Sequence, residues 1–471
     1  MDNNLFVCVN LQDDISIEDN GDQLNLCQKN QKPLKFDKSN AALTHLIHNL
    51  YSCTYSLEAH IESVCTATLV SKAEAYYIFA QLEQLSIIQY SLMEGQTKLI
   101  SIIRTNLGLT KLRPIDHSKS YLVSRFTTIR RFGHAWLVEC PLGTGQILIY
   151  DPSLIQFLAQ LSNPYSIIED ATHTPSINLS RSSYFLNFLL SINAAYECDH
   201  EGKIQEDRIS SLTKWEHHDL LFHYHSRANS RDPHYGATFR YKDITPAPPA
   251  MKCTNSNYRI PLLKDENGHF VKYNFFDVIE RRTSKRSGGQ HPLNLEQLGA
   301  FFWHVARIKH RNPAEINGYE SSIRPVPCGG GMHEIDLYIT IYRCSGLKQG
   351  FYYYNSYTHE LEHLSELTHS LTHLLQDAQQ SAHMPSPPDV LITLASRFER
   401  MAWKYEKIAY ATTLKNAGVL FNQMYLVATA MNLSPCGLGG GNSEIFSNAS
   451  NTCSYEEGSI AEFSLCSDAN H

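Results

Sequence analysis

Apolar or small residues recur at Ile408, Ala411, Leu414, Gly418, Phe421, Tyr425, Ala428 and Met431, in steps of three and four that predict a long helix with one face in a core. Lys404 and Tyr405 stand where that helix would begin. Cys436 to Gly441 form a glycine loop past its end, and Pro435 keeps the helix from running on. Near the other end of the chain, residues 4 to 36 alternate short apolar runs with Asp, Asn and Gly, and read as a small antiparallel sheet. Helical spacing follows: Ala41 to Leu50 behind a cap at Asp37-Lys-Ser-Asn, then Ser56 to Val64, then Lys72 to Leu85 capped by Ser71. A hairpin of Ile87 to Tyr90 with Leu99 to Ile103 is expected about Glu94-Gly95.

The same order returns further on, with strands at Tyr121 to Phe126, His134 to Glu139 and Ile147 to Tyr150, a helix opening at Asp151-Pro-Ser, and another from Ser180 to Leu190. This reads as a degenerate duplication of pattern. Strands, helices and a hairpin outline two winged-helix-like modules, residues 1–110 and 111–225. Residues 226–254 read as a junction and linker around Thr245-Pro-Ala-Pro-Pro-Ala250, and residues 255–471 as a separate domain. The chain's 471 residues suffice for several cores.

A winged helix invites a DNA-binding reading, which charge opposes. Residues 1 to 110 hold seven Lys plus Arg against twelve Asp plus Glu, and the whole chain carries a net charge of −7. Such a surface cannot neutralise phosphates, so no nucleic-acid partner is expected. No apolar run reaches the roughly 18 residues that span a bilayer, and the N-terminus lacks a secretory signal, so no membrane partner and a cytoplasmic location are expected. The 12 cysteines include no C-x-x-C, which suits a reducing compartment and gives no zinc ribbon.

Two histidine patterns tempt a metal reading. His217, His218, His223 and His225 do not share one helix face and read as a polar junction, while His359-Glu-Leu-Glu-His363 satisfies H-E-x-x-H. The latter works only on a helix. Gly350-Phe-Tyr-Tyr-Tyr-Asn-Ser-Tyr357 just before it is strand-like, so His359 is expected to begin the return strand of a hairpin, and no metal site is expected. Arg281-Arg-Thr-Ser-Lys-Arg286 is a run of cationic and hydroxyl side chains suited to a phosphate. Pro327-Cys-Gly-Gly-Gly331 precedes a strand, where the glycines let backbone approach something flat. Lys404 and Tyr405 are proton carriers with ordinary pKa values near ten, usable as a base only if the surroundings lower one of them.

Arg281-Arg-Thr-Ser-Lys285, Pro327-Cys-Gly-Gly330, Gly350-Phe-Tyr-Tyr-Tyr354, Trp403-Lys-Tyr405 and Gly437-Leu-Gly-Gly-Gly441 stand in the order of one family. Over residues 255 to 471 the chain resembles the SagB-type flavin-dependent azoline oxidases of the nitroreductase superfamily, most closely the cyanobactin type. The resemblance implies an α+β fold: N-terminal tandem winged-helix-like modules of the peptide-recognition type, then an FMN-binding nitroreductase-like domain with a central mixed sheet flanked by helices. It implies that Arg281, Arg282, Thr283 and Lys285 bind the FMN phosphate, with Thr283 and Lys285 departing from the Arg-Arg-Ser-x-Arg pattern. Pro327, Cys328, Gly329 and Gly330 would match Pro-Ser-Gly-Gly, Cys328 being a weaker donor than serine. Leu438, Gly439 and Gly440 would bring backbone amides to the flavin edge, and Lys404 and Tyr405 would be the catalytic pair.

The implied reaction turns thiazoline or oxazoline into thiazole or oxazole in a ribosomally made precursor peptide, whose leader would dock on the N-terminal modules by adding to a sheet edge. Lys404 or Tyr405 would take a proton and FMN a hydride; the residues leave open which of the two is the base. A homodimer is implied. Two alternatives remain at this point: an NAD(P)H-dependent nitro or quinone reductase of small molecules, which leaves the N-terminal half without a task, and a non-catalytic flavin-bound scaffold, against which the intact Lys404-Tyr405 pair speaks.

Overall fold

A computed structural model of the chain describes residues 5–28, 32–103, 115–143, 145–167, 179–228, 235–254 and 256–468. The chain divides into two compact units, Met1–Tyr235 and Gly236–His471. The boundary expected between residues 110 and 111 lies outside the described residues.

In the first unit the expected helices form as Ala41–Ser52, Leu57–Thr68 and Lys72–Gln84, with the side chains of Asn40, Ser56 and Ser71 each accepting from a backbone N–H of the first turn. The hairpin that follows pairs Ile88–Glu94 with Thr97–Ile103. Leu5–Leu11 does not join the small N-terminal sheet expected of it. It pairs antiparallel with Ile88–Glu94, while Ile15–Asn20, Gln23–Gln28 and Leu34–Asp37 form a sheet of their own. The larger sheet continues through Gln146–Ile149, Ala135–Glu139 and Thr128–Phe132, so strands from both halves of the apparent duplication build one six-stranded sheet. One continuous apolar core joins the two halves, with Phe79 from the first and Phe157, Phe185 and Phe188 from the second.

The second unit is a seven-stranded sheet in the order Arg259–Pro261, Glu360–Ser365, Gly350–Asn355, Ile335–Ile341, Val390–Arg397, Glu457–Cys466, Ser434–Leu438. Ile335–Ile341 is buried at every residue. Helices Leu295–Ala306 and Ala409–Ala430 pack on this sheet through Phe301, Phe302, Leu420 and Met424. Helices His369–Ser381 and Ser443–Ser450 contribute Leu371, Leu375 and Phe446 to a second cluster. A sheet flanked by helices was expected. The expected mixture of strand directions is corrected, because every ladder among the described residues is antiparallel. Ile335–Ile341, Gly350–Asn355 and Glu360–Ser365 run as a meander through short connections, 342–349 and 356–359, which sets neighbours antiparallel.

Candidate functional site

The long helix forms over Ala409–Ala430, but Lys404 and Tyr405 do not open it. They end a separate short helix, Phe398–Lys404, with Tyr405 as its extended C-cap. Neither Gly nor Pro breaks the chain between the two helices. The interruption is held from outside, since the Glu406 N–H donates to the Gly236 carbonyl at 3.0 Å and the Phe239 N–H to the Lys404 carbonyl at 3.1 Å.

The helix stripe also differs from expectation. Thr413, Ala417, Leu420, Met424 and Val427 are buried, whereas Leu414 is exposed and Phe421 and Tyr425 are half-buried. Ala411, Ala428 and Met431 are buried as expected, Phe421 and Tyr425 pack their rings against Phe463 of the sheet, and Leu414, Ala417, Gly418 and Phe421 form a wall of an open groove.

On another side of the helix sits the loop Pro327–Gly331. The Asn416 amide oxygen accepts from the Gly329 N–H at 3.1 Å, and its nitrogen donates to Glu334 at 2.9 Å. A Cβ on Gly329 would overlap Thr412. Cys328 points inward, with Sγ 3.3 Å from the Glu334 carboxylate and accepting from the His333 N–H at 3.1 Å. Burial and Glu334 push its thiol up to about 12, so Cys328 holds the loop from below.

Lys404 and Tyr405 meet this loop. Lys404 is buried, its ammonium donates to the Tyr319 hydroxyl, and the Gly330 carbonyl lies 3.4 Å away. The rings of Tyr319, Tyr405 and Phe239 lie 4.5, 5.4 and 5.7 Å from Lys404 Nζ, an aromatic surround for a cation. Gly330 has φ +63, and a Cβ there would lie 2.6 Å from Tyr405 Oη and overlap Lys404 Nζ. Only glycine satisfies both the backbone and the two side chains. Burial raises the pKa of Tyr405 and Lys404 opposes it only in part, so the phenol keeps its proton at neutral pH.

Arg400 fixes this corner. Fully buried, it donates to the carbonyls of Met332, Pro248 and Glu320, while Trp403 Nε1 donates to the Thr245 carbonyl at 2.9 Å. The stretch Thr245–Ala250, expected to act as a linker, is thus tied to the helix that carries Lys404. Phe239, in the left-handed region at φ 52, packs its ring against Tyr319 and Trp403. Such backbone strain persists only where surroundings enforce it. Sequence reasoning missed Tyr319, Phe239 and Arg400; none lies in a recognisable motif.

The cationic run lies beside the other end of the groove. Arg281 stacks on Tyr273 at 4.2 Å and Arg282 on Tyr425 at 5.5 Å, both side chains exposed. Thr283 is exposed, Ser284 Oγ lies 2.8 Å from Tyr425 Oη, and Lys285 reaches Asp468 at 3.4 Å. The Lys285 N–H donates to the Pro435 carbonyl and the Gly437 N–H to Tyr425 Oη, so strand Ser434–Leu438 joins the cations to the glycine loop. Among the described residues no carboxylate pairs with Arg281, Arg282 or Arg286. From Leu414 to Tyr425 the helix rises about 16 Å.

The chemistry of this region suits a flat ring beside an anionic group. The groove, about 440 Å³, is lined by Leu414, Gly418, Phe421 and Leu438–Gly441. A Cβ on Gly439 would meet nothing within 4 Å, so the loop offers flat, accessible backbone. Unpaired guanidinium groups beside it suit a phosphate. Leu438, Gly439 and Gly440 are thus brought near Arg282 and Lys285, and Pro327–Gly330 near Lys404 and Tyr405. The two sets are not brought together in one chain: Thr412 and Leu414, which face them, are roughly 200° apart on the helix.

His359 and His363 lie in the expected hairpin, His359 in its turn at φ 59. His359 uses both ring nitrogens, at 2.9 Å from Tyr354 Oη and 2.9 Å from the Leu263 carbonyl. Among the described residues no group of three or more His, Cys, Asp or Glu could hold a metal, and no helix is long and apolar enough to cross a membrane.

Residues 279–454 match the family model described as the nitroreductase family. The matched stretch lies in the second unit, which is nitroreductase-like. Residues 121–232, in the first unit, match the model described as the cyanobactin oxidase ThcOx. Both matches agree with the resemblance carried by the motifs. A Methanocaldococcus jannaschii protein named for the nitroreductases is 21% identical over 163 residues, 35% of this chain and 77% of that protein. Among solved structures, a nitroreductase-type protein of Ralstonia eutropha is 19% identical over 48% of this chain and 96% of its own, with a TM-score of 0.36. The E. coli microcin synthetase McbBCD complex with truncated pro-MccB17 bound is 16% identical over 44% of this chain and 78% of its own, with a TM-score of 0.34.

Proposed function

We propose that the chain is an FMN-dependent oxidase that converts thiazoline or oxazoline rings of a ribosomally made precursor peptide into thiazole or oxazole. The observation that carries this reading is the buried Lys404 and half-buried Tyr405 seated on Gly330, in a nitroreductase-like unit whose partner unit matches a cyanobactin oxidase. A simple nitro or quinone reductase has no evident use for a buried amine and phenol at this corner.

Aromatising an azoline removes a proton from one ring carbon and a hydride from its neighbour. Bound flavin supplies the acceptor for the hydride. The proton falls to the chain. Tyr405 holds its own proton through burial, so the role of base is assigned to Lys404. Tyr319 and the Gly330 carbonyl hold the Lys404 nitrogen in place, and Tyr405 is left to donate to the ring heteroatom. Arg281, Arg282, Thr283 and Lys285 would hold the phosphate, and Leu438, Gly439 and Gly440 the ring edge. Because the two half-sites lie on different sides of one helix, the reading includes a homodimer in which the loop and Lys–Tyr pair of one copy complete the groove of the other. The acidic first unit, whose larger sheet ends at the edge strand Thr128–Phe132, would bind the leader as an added strand.

The test is mass spectrometry of an azoline peptide, with and without its leader, after incubation with the full chain. Loss of two hydrogens per ring is expected, faster for the leader-bearing peptide. Lys404→Ala and Tyr405→Phe should keep flavin yet slow this loss by about 10² to 10⁴, the usual range for acid–base groups. Variants that hold flavin and convert the ring at the parent rate would make the pair structural.

A further inference from the structure

Glu462 lies on strand Glu457–Cys466 and is 5% exposed. Strand register sets it opposite Thr393 on one side and Leu438 on the other. Its carboxylate packs under the glycine loop so closely that a Cβ on Gly441 would overlap it, and it lines the groove together with Leu438–Gly441. Two neighbouring polar atoms here, Glu462 Oε1 and Thr393 Oγ1, have no hydrogen-bond partner among the described residues. A buried carboxyl without a cation, directly under the loop that would carry a flavin ring, is not explained by packing.

We propose that Glu462 must be neutral for the groove to hold a flavin ring, so that ring binding is coupled to the uptake of one proton. The inference rests on the flavin reading above and adds to it a condition set by this chain. A planar ring laid over Gly439–Gly441 takes water from the groove and so from the carboxyl beneath, and desolvation penalises the ionised form far more than the neutral one. The elements around Glu462 offer no counter-charge. Strand Val390–Arg397 presents Thr393, strand Ser434–Leu438 presents Leu438, helix Ser443–Ser450 presents Ser443, and the long helix presents Tyr410, the other titratable group lining the groove. Ser459 on its own strand helps the charged form slightly, yet burial still pushes Glu462 up to about 7. Below that pH the carboxyl is already neutral and ring binding needs no proton. Above it, each pH unit weakens binding by up to about tenfold, the limit for uptake of one proton.

The experiment is a fluorescence titration of the full chain with riboflavin, which has the ring but not the phosphate, so that phosphate ionisation drops out. Over about pH 6 to about pH 9, the wild-type Kd should be flat and then rise toward about tenfold per unit. Glu462→Gln should bind with a flat profile and, at the alkaline end, more tightly than wild type. Glu462→Met, neutral and of similar length, should behave like Glu462→Gln and guards against misfolding of one variant. Parallel profiles in wild type and variants, a wild-type affinity that is constant or rises with pH, or folded variants that fail to bind while wild type binds, would each overturn the inference. Absence of riboflavin binding by the wild type at every pH would instead remove the flavin reading on which it stands.

Discussion

Gly330→Ala is the smallest change that should separate the stability of the second unit from its chemistry. At φ +63 an alanine costs about 1–2 kcal/mol, the usual penalty of an L residue in the left-handed region. The added methyl also lands within 2.6 Å of Tyr405 Oη and overlaps Lys404 Nζ, both at the ends of side chains that can shift. The fold therefore survives with a modest loss, readable by urea denaturation, while the pair moves by the order of an ångström. Misplacement on that scale costs about 10² in rate. A double-mutant cycle with Lys404→Ala supplies the decisive comparison. If Gly330→Ala acts through the lysine, it should slow azoline oxidation about 10²-fold in the parent and much less in the Lys404→Ala background. Equal factors in both backgrounds, or a parental rate in Gly330→Ala itself, would refute the reasoning.

Replacing Arg281 and Arg282 together by Ala removes charge-assisted hydrogen bonds to a phosphate, each worth roughly 1.5–3 kcal/mol, so flavin per chain after gel filtration should fall at least tenfold; full retention would remove the phosphate assignment. Leu414→Asp places a charge on the exposed stripe of the long helix; if the proposed homodimer forms there, light scattering should show dimer for the parent and monomer for the variant, with flavin lost in step, and an unchanged dimer would place the interface elsewhere.

Much of the fold was legible where local chemistry alone decides. Asn40, Ser56 and Ser71 cap helices because their short polar side chains satisfy free N–H groups of the first turn, whatever the tertiary context. Strands around the H-E-x-x-H match were legible from aromatic and β-branched content and from the Asn-Ser turn. What failed depended on distant partners. The break after Lys404 has no breaker residue, being imposed by backbone bonds to Gly236 and Phe239 across more than 160 positions of sequence. Leu5–Leu11 left its sequence neighbours for a strand near residue 90. Tyr319, Arg400 and Glu462 belong to no motif, and only burial beside the pair or the groove makes them visible.

The misread stripe of the long helix has a physical cause that bears on the site. Periodicity reports that a face is apolar, not what covers it. Of the expected stripe, Ala411, Ala428 and Met431 are buried and Phe421 and Tyr425 pack against Phe463 of the sheet, while Leu414 and Gly418 stay exposed and the buried face extends to Thr413, Ala417, Leu420 and Met424. What stays exposed on this helix, Tyr410, Leu414 and Val419, is the apolar surface that something else would cover. Phe275, Phe276 and Ile279 on the helix Phe275–Arg281, which packs beside the long helix, are exposed as well and add to the same problem. A flavin ring in the groove would cover Leu414, Gly418 and Phe421, but would not reach the outer face of Phe276. A second copy of the chain would cover both and would deliver the Lys404–Gly330 corner that one chain holds on a different side of its helix. Covering the stripe and completing the site would then be one event, which is why loss of the dimer and loss of flavin are expected together.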